Sequence, residues 1–196
     1  MAKRDLKRYR KKGPVRTTRI LIEALTSNGI PGQTLLDIGG GVGAIQHEFL
    51  KAGLENATNV DASKAYIASA QEEAGRQGFA DRVSYHHGDF VDLAPEIEEA
   101  DIVTLDRVIC CYDDMERLVG LSAERAGKLY GVVYPRDNWL MKVARPVINF
   151  VFWLKGNPFR MFVHPTQAVD TRIQESGLKP YFHRKTAIWQ VVVYAR

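Results

Sequence analysis

The stretch LLDIGGGVGAIQHEFL, residues 35–50, places four glycines within five positions directly after a short apolar run. An apolar run of strand length, a glycine turn and an amphipathic segment predict a strand, a tight turn and a helix. Gly39, Gly41 and Ala44 satisfy the dinucleotide-binding pattern G-x-G-x-x-[G/A], and Asp61 lies about twenty residues further on, where an NAD ribose acid would sit. The stretch alone therefore leaves two ligands open, a pyrophosphate or a group without phosphate.

The segments on either side of this turn indicate the fold class. Strands separated by helical segments predict βαβ units, and hence an α/β fold with a largely parallel sheet and helices on both faces. The last two strands are joined too tightly for a crossover helix, so we expect them to form an antiparallel hairpin. We predict strands over 34–38, 56–63, 82–90, 100–112, 128–135, 178–185 and 186–196, and helices over 17–29, 43–53, 64–78 and 115–126.

Length and charge indicate one domain with a basic arm. The chain has 196 residues, of which 45% are hydrophobic and 26% charged, as in an ordinary globular domain. Residues 1–16 hold eight Lys or Arg and one acid, whereas residues 17–196 form the predicted domain. We interpret the arm as a solvated, partly disordered leader; an arm that binds an anionic partner, or one that folds over a cofactor as a cover, is the alternative.

Cysteine content and the N-terminal composition favour a reducing compartment. Only Cys110 and Cys111 occur, and adjacent cysteines cannot form a framework of long-loop disulfides. No apolar region follows the basic N-terminus, so we expect no secretory signal and a cytoplasmic protein. His86 and His87 alternate across a predicted strand without further ligands, so we expect no metal site.

Three carboxylates decide between the two ligands. Asp37 stands two residues before the first glycine, where dinucleotide-binding strands carry an apolar side chain, and it would repel a pyrophosphate. Asp37, Asp61 and Asp89 close the first three predicted strands, and ligands of open α/β sheets lie across the carboxyl ends of the strands. Three acids on one rim fit a cationic nucleoside better than an anionic dinucleotide, which disfavours an NAD(P) oxidoreductase.

Four features in order carry a family resemblance. DIGGGVG, VDAS, HGDF and the terminal hairpin resemble a class I S-adenosylmethionine-dependent methyltransferase over roughly residues 17–196. The resemblance implies a Rossmann-like seven-stranded, mostly parallel sheet with its last strand reversed. It also implies S-adenosylmethionine as cofactor and S-adenosylhomocysteine as product.

The resemblance further implies roles for the residues of the rim. The glycines would admit the methionine and ribose portions, Asp61 would accept both ribose hydroxyls, and Asp89 would accept the adenine amino group. Asp106 would face the sulfonium, unless it simply pairs with its neighbour. The predicted cofactor-binding residues are Asp37, Gly39, Gly40, Gly41, Gly43, Asp61, Ala62, Gly88, Asp89, Phe90, Asp106 and Arg107.

An apolar insert over 136–166 and the segment at its end carry the candidate acceptor site. We favour a core-packing or dimer helix around Pro146; a lid over an apolar substrate and a helix on a membrane surface are the alternatives. Arg160 and His164 lie beside this helix in sequence and could grip an acceptor and take its proton. Together with Tyr112 they are the predicted catalytic residues.

The C-terminal third is similar to magnesium-protoporphyrin O-methyltransferases. That family carries His-Tyr-Pro after the fourth strand, where this chain has Cys111-Tyr112-Asp113, so the porphyrin substrate is not carried over. The fourth strand also lacks the Asn-Pro-Pro-Tyr type of element used to methylate nucleic-acid bases, and we expect no nucleic-acid partner.

These observations predict a methyltransferase that acts on a small, partly apolar molecule at oxygen, nitrogen or sulfur. The alternative is a non-catalytic protein that binds the cofactor or acts as a membrane-associated scaffold. A peripheral membrane contact through the insert is open, and the sequence does not determine the oligomeric state.

Overall fold

The computed structural model describes residues 1–27, 29–156 and 160–196, apart from the side chains of Leu140 and Lys142. Fifteen α-helices and β-strands follow one another within these ranges, with short 3₁₀ turns between some of them. They are α1 (Ala2–Lys12), α2 (Arg16–Thr26), β1 (Thr34–Ile38), α3 (Ala44–Lys51), β2 (Asn56–Asp61), α4 (Lys64–Gln77), β3 (Val83–His87), α5 (Phe90–Leu93), β4 (Ala100–Asp106), α6 (Met115–Glu124), β5 (Ala126–Pro135), α7 (Trp139–Leu154), α8 (Thr166–Gln174), β6 (Lys179–Lys185) and β7 (Trp189–Ala195).

The seven strands form one sheet in the order β3-β2-β1-β4-β5-β7-β6. The first five strands pair in parallel, whereas β7 runs antiparallel to both β5 and β6. The predicted α/β fold, with seven strands and a reversed last strand, is confirmed. Because β1 and β4 lie side by side where the strand order reverses, their carboxyl ends border the crevice in which such sheets bind ligands.

Two cores cover the two faces of the sheet. Neighbouring residues of each strand alternate between them, so Leu35 faces one core and Leu36 the other. The first core is built on α2 and α3, and the second on α5, α6 and α8. The prediction of helices on both faces is therefore confirmed. Within the described ranges, no helix is long and apolar enough to cross a bilayer.

The N-terminal arm is a helix rather than a partly disordered leader. Apolar side chains recur at helical spacing in α1, and Leu6 and Tyr9 are only 3% and 6% exposed. The Arg10 side chain bonds Glu73, whose own side chain is fully buried on α4, at 2.7 Å. The interpretation of residues 2–12 as a solvated leader is therefore wrong, because the apolar face of the helix packs on the domain.

The insert is an exposed helix rather than part of the core. Among the described side chains of α7, Met141 is buried, whereas seven large apolar ones are exposed. The helix runs through Pro146 without ending. The expectation of a core-packing helix is therefore wrong, because the sheet is already covered on both faces by other elements, whereas the dimer helix stays a prediction.

The fourth strand is shorter than predicted. It ends at Asp106, because Arg107 takes a left-handed backbone conformation with φ 63° and residues 109–111 form a 3₁₀ turn. This early end moves Tyr112 out of the sheet and toward the segment that contains His164.

Candidate active site

The glycine turn leaves one glycine open to a ligand. A side chain at Gly40 would clash with Asn59, and a side chain at Gly39 would clash with Val108. At Gly41, with φ 58°, a Cβ atom would make only ordinary van der Waals contacts, the nearest of them with Tyr66 at 3.9 Å. The turn therefore packs on its own protein around Gly39 and Gly40 and presents bare backbone at Gly41.

Asp61 is held in place by the backbone around it. Its Oδ2 accepts the Gly41 amide at 2.9 Å, and its Oδ1 accepts the Ser63 amide at 2.8 Å. Each carboxylate oxygen keeps a second lone pair, so the group can still accept a donor from a ligand. Burial raises the pKa of Asp61, while the two amides act in the opposite direction.

Asp37 is a buried carboxyl group with one unsatisfied oxygen. Its Oδ1 accepts the Thr104 hydroxyl at 2.7 Å, since β1 and β4 pair these two residues in register. Among the described residues, its Oδ2 has no hydrogen-bond partner. Burial, with a smaller contribution from the charges of Asp106 and Asp61, raises the pKa of Asp37 to about 7. Asp61 and Asp106 thus act on Asp37 at one edge of the sheet, and the predicted rim of Asp37, Asp61 and Asp89 stays a prediction.

Tyr112 is bonded to Asp89 through its hydroxyl and to His164 through its backbone carbonyl oxygen. Asp89 caps α5 through its Oδ1 and accepts the Tyr112 hydroxyl on its Oδ2 at 2.9 Å. The Tyr112 carbonyl oxygen lies 2.8 Å from Nε2 of His164. Because a carbonyl oxygen only accepts, Nε2 carries a proton, and Nδ1 is the basic atom of the neutral ring. Burial and Asp89 raise the pKa of the Tyr112 hydroxyl to about 12.

Asp106 pairs with its neighbour and with α2. Its carboxylate bonds Arg107 at 3.1 Å and also accepts the hydroxyl of Thr18. The pairing with Arg107, one of the two alternatives, is thus present. Asp106 remains beside Asp37, whose pKa it raises.

The remaining predicted residues lie around these groups. Ala62 is exposed beyond Asp61, and the Gly88 amide donates to the Asp61 carbonyl oxygen at 3.2 Å. Gly43, with φ 76°, begins α3. Phe90 is buried in the second core, so its contact with an adenine ring stays a prediction. Arg160 is exposed, four residues before His164.

Helix α1 borders the site, which the sequence analysis left open. Asp5 of α1 accepts the hydroxyl of Tyr66 at 2.8 Å, and Tyr66 is the residue in front of Gly41. Asp5 also acts electrostatically on Arg107. The apolar spacing of Ala2, Leu6 and Tyr9 is the sequence signal that indicates a packed helix here.

The chain matches one family model and a curated methyltransferase. Residues 36–127 match the model of a methyltransferase domain. Ribosomal protein L11 methyltransferase from Tolumonas auensis is 28% identical over 148 residues, which cover 72% of this chain and 46% of that protein. The chain therefore spans about half the length of this curated relative.

Solved methyltransferase structures share the fold. Magnesium protoporphyrin IX methyltransferase from Synechocystis PCC 6803, solved with bound SAH, has a TM-score of 0.75 at 15% identity, covering 92% of this chain and 81% of that one. Geranyl diphosphate C-methyltransferase from Streptomyces coelicolor A3(2) has a TM-score of 0.72 at 14% identity, covering 91% and 77%. With the matched domain and the sheet order, these structures confirm the resemblance predicted from the motifs. Residues 36–127 thus match a methyltransferase domain, and the chain has the fold of class I S-adenosylmethionine-dependent methyltransferases.

Proposed function

We propose that this protein transfers a methyl group from S-adenosylmethionine to oxygen, nitrogen or sulfur of a small, partly apolar molecule. The observation that carries the proposal is the chain Asp89–Tyr112–His164, which links the predicted cofactor rim to a candidate base. The ring of Phe162 stacks on the His164 ring, with 5.9 Å between the ring centroids, and this apolar surface beside the candidate base supports a partly apolar acceptor.

The cofactor is S-adenosylmethionine, and the described residues fit it. Gly41 presents backbone without a side chain, and Asp61 has acceptor capacity for ribose hydroxyls beside it. The unsatisfied Oδ2 of Asp37 suits a cationic group or a donor, and it would oppose a phosphate. When bound, S-adenosylmethionine supplies an electrophilic methyl group on a sulfonium sulfur.

The role assigned to His164 follows from its hydrogen bond. With Nε2 fixed on the Tyr112 carbonyl oxygen, the ring is held in one orientation and one tautomer. Nδ1 is then available to take the proton of an acceptor hydroxyl, amine or thiol as the methyl group is transferred, which is typically worth about 10²–10⁴-fold in rate. The exposed Arg160 would hold an anionic part of the acceptor.

The tautomer provides a discriminating experiment. His164→Gln places a side-chain amide donor near the Nε2 position and removes the basic nitrogen, whereas His164→Ala removes both. We expect both variants to lower kcat by about 10²–10⁴-fold with cofactor affinity unchanged. His183→Ala, at the exposed histidine of β6, is the matched control. The assay follows labelled methyl transfer from S-adenosylmethionine into fractions of a small-molecule extract.

Three outcomes separate the alternatives. Near-normal kcat in both variants rules out His164 as the base and favours an acceptor that is already ionised, held by Arg160. Normal kcat in the Gln variant alone makes His164 a positioning residue. Cofactor binding without a methylated product in any fraction supports the non-catalytic alternative.

A further inference from the structure

Helix α7 presents an apolar face to solvent. Trp139, Val147 and Trp153 are 76%, 60% and 68% exposed, although large apolar side chains are mostly buried in globular proteins. The exposed large apolar side chains of α7 are Trp139, Val143, Val147, Phe150, Val151, Trp153 and Leu154. At 3.6 residues per turn they fall within an arc of about 160°. A contiguous apolar face of this kind marks an interaction surface.

The opposite side of the helix is anchored to the domain. Met141 is buried, and the Asn149 side chain pairs with both backbone groups of Met161, at 2.8 and 3.0 Å. The amide of Phe162 in turn donates to the Cys110 carbonyl oxygen at 2.8 Å. These contacts fix which face of α7 is turned outward.

The charged side chains between Asp137 and Asp170 are all basic. Residues 138–169 contain no Asp or Glu, and their cations are Lys142, Arg145, Lys155 and Arg160. A second cationic surface lies on the outer side of α1, where six basic side chains are exposed: Lys3, Arg4, Lys7, Arg8, Lys11 and Lys12. A partner that covers the apolar face must therefore tolerate many positive charges beside it.

Both surfaces belong to the carboxyl edge of the parallel strands. Helix α7 begins four residues after the carboxyl end of β5 at Pro135. Helix α1 reaches the same edge through the bond between Asp5 and Tyr66 in front of the glycine turn. The apolar face and the cationic helix thus lie on the side of the sheet where the candidate active site opens.

We propose that α7 binds in the plane of an anionic bilayer surface, with its apolar face at the boundary of headgroups and acyl chains. The cations of α1 and of residues 138–169 then lie against anionic headgroups. Tryptophan at both ends of the face, Trp139 and Trp153, suits this depth, because the indole ring is favoured at the membrane interface. A second copy of the chain is disfavoured as the occupant, because it would bring two surfaces of predominantly positive charge together. The proposal does not rest on methyl transfer.

Vesicle sedimentation of the full chain tests the proposal directly. We expect binding to phosphatidylcholine vesicles that contain about one-third phosphatidylglycerol, weaker binding to phosphatidylcholine alone, and loss of binding as salt rises. Val147→Glu should weaken the partition at least about tenfold. Ala52→Glu, which adds the same charge at an exposed apolar residue between α3 and the start of β2, at the opposite edge of the sheet, should leave it within about twofold.

A second variant and a second method test the same proposal independently. The double variant Trp139→Ser/Trp153→Ser should show the same loss, with an unchanged circular dichroism spectrum. The proposal is overturned if the unchanged protein does not sediment with anionic vesicles, or if Val147→Glu binds as tightly as Ala52→Glu. It is equally overturned if light scattering shows a dimer that Val147→Glu dissociates, because the face is then covered by a second copy.

Discussion

Replacing Asp37 with asparagine should change the stability of the ligand-free protein in a pH-dependent manner. The carboxyl group is buried beside Asp61 and Asp106, and its pKa is raised from 3.8 to about 7. Between these two values the folded protein binds more protons at this site than the unfolded chain does. The stabilising contribution of the protonated carboxyl is therefore complete at low pH and lost as the pH rises through about 7.

The magnitude follows from proton linkage. At about 1.4 kcal/mol per pH unit, the two pKa values imply that Asp37 costs the folded state about 3 kcal/mol more at pH 8.5 than at pH 5. Asparagine keeps an acceptor for the Thr104 hydroxyl and does not ionise. Its buried amide nitrogen carries a penalty of about 1–3 kcal/mol, but this penalty is the same at both pH values.

The assay compares urea unfolding of the Asp37→Asn variant and the unchanged protein at about pH 5 and about pH 8.5. Relative to the unchanged protein, the variant should be about 3 kcal/mol more stable at the higher pH than it is at the lower pH. Asp81→Asn, the same change at an exposed aspartate, should show no such movement. An Asp37→Asn difference that is equal at both pH values would refute the reasoning.

Two further predictions concern the cofactor rim and the arm. Asp61→Ala should weaken S-adenosylmethionine binding by about 1.5–3 kcal/mol, because it removes a charge-assisted hydrogen-bond acceptor. NADH should show no saturable binding. An unchanged affinity of the variant for S-adenosylmethionine in calorimetry would exclude Asp61 from the site. Leu6→Ala should lower the unfolding free energy by about 2–4 kcal/mol, because this side chain of α1 is buried against the domain. A loss below about 0.5 kcal/mol in urea unfolding would mean that α1 packs loosely.

The sequence predicts the sheet well because its signals are local. Apolar runs of strand length, the glycine turn and the tight link between the last two strands each specify their own segment. The strand TLLDI is predicted and observed over the same residues, Thr34–Ile38. The order of the strands then follows from the right-handed βαβ rule and from the family resemblance.

The sequence predicts the surroundings of the site less well because they depend on contacts across the fold. The bond between Asp89 and Tyr112 joins residues 23 apart, and that between His164 and Tyr112 joins residues 52 apart. The strand that was predicted to continue through Tyr112 ends at Asp106 because of a single backbone conformation at Arg107. Neither the pairing nor the left-handed residue has a local sequence signal.

The arm and the insert are separate features in the sequence, and the topology gives them one location. In a parallel sheet every crossover begins at the carboxyl end of a strand, so the segment after β5 must begin at the same edge as the glycine turn after β1. Helix α1 reaches that edge through Asp5 and Tyr66. A change of sequence in residues 136–166 therefore alters what can approach the rim without altering the glycine turn or Asp61. We therefore expect variants of α7 to leave the affinity for S-adenosylmethionine unchanged, which calorimetry can check.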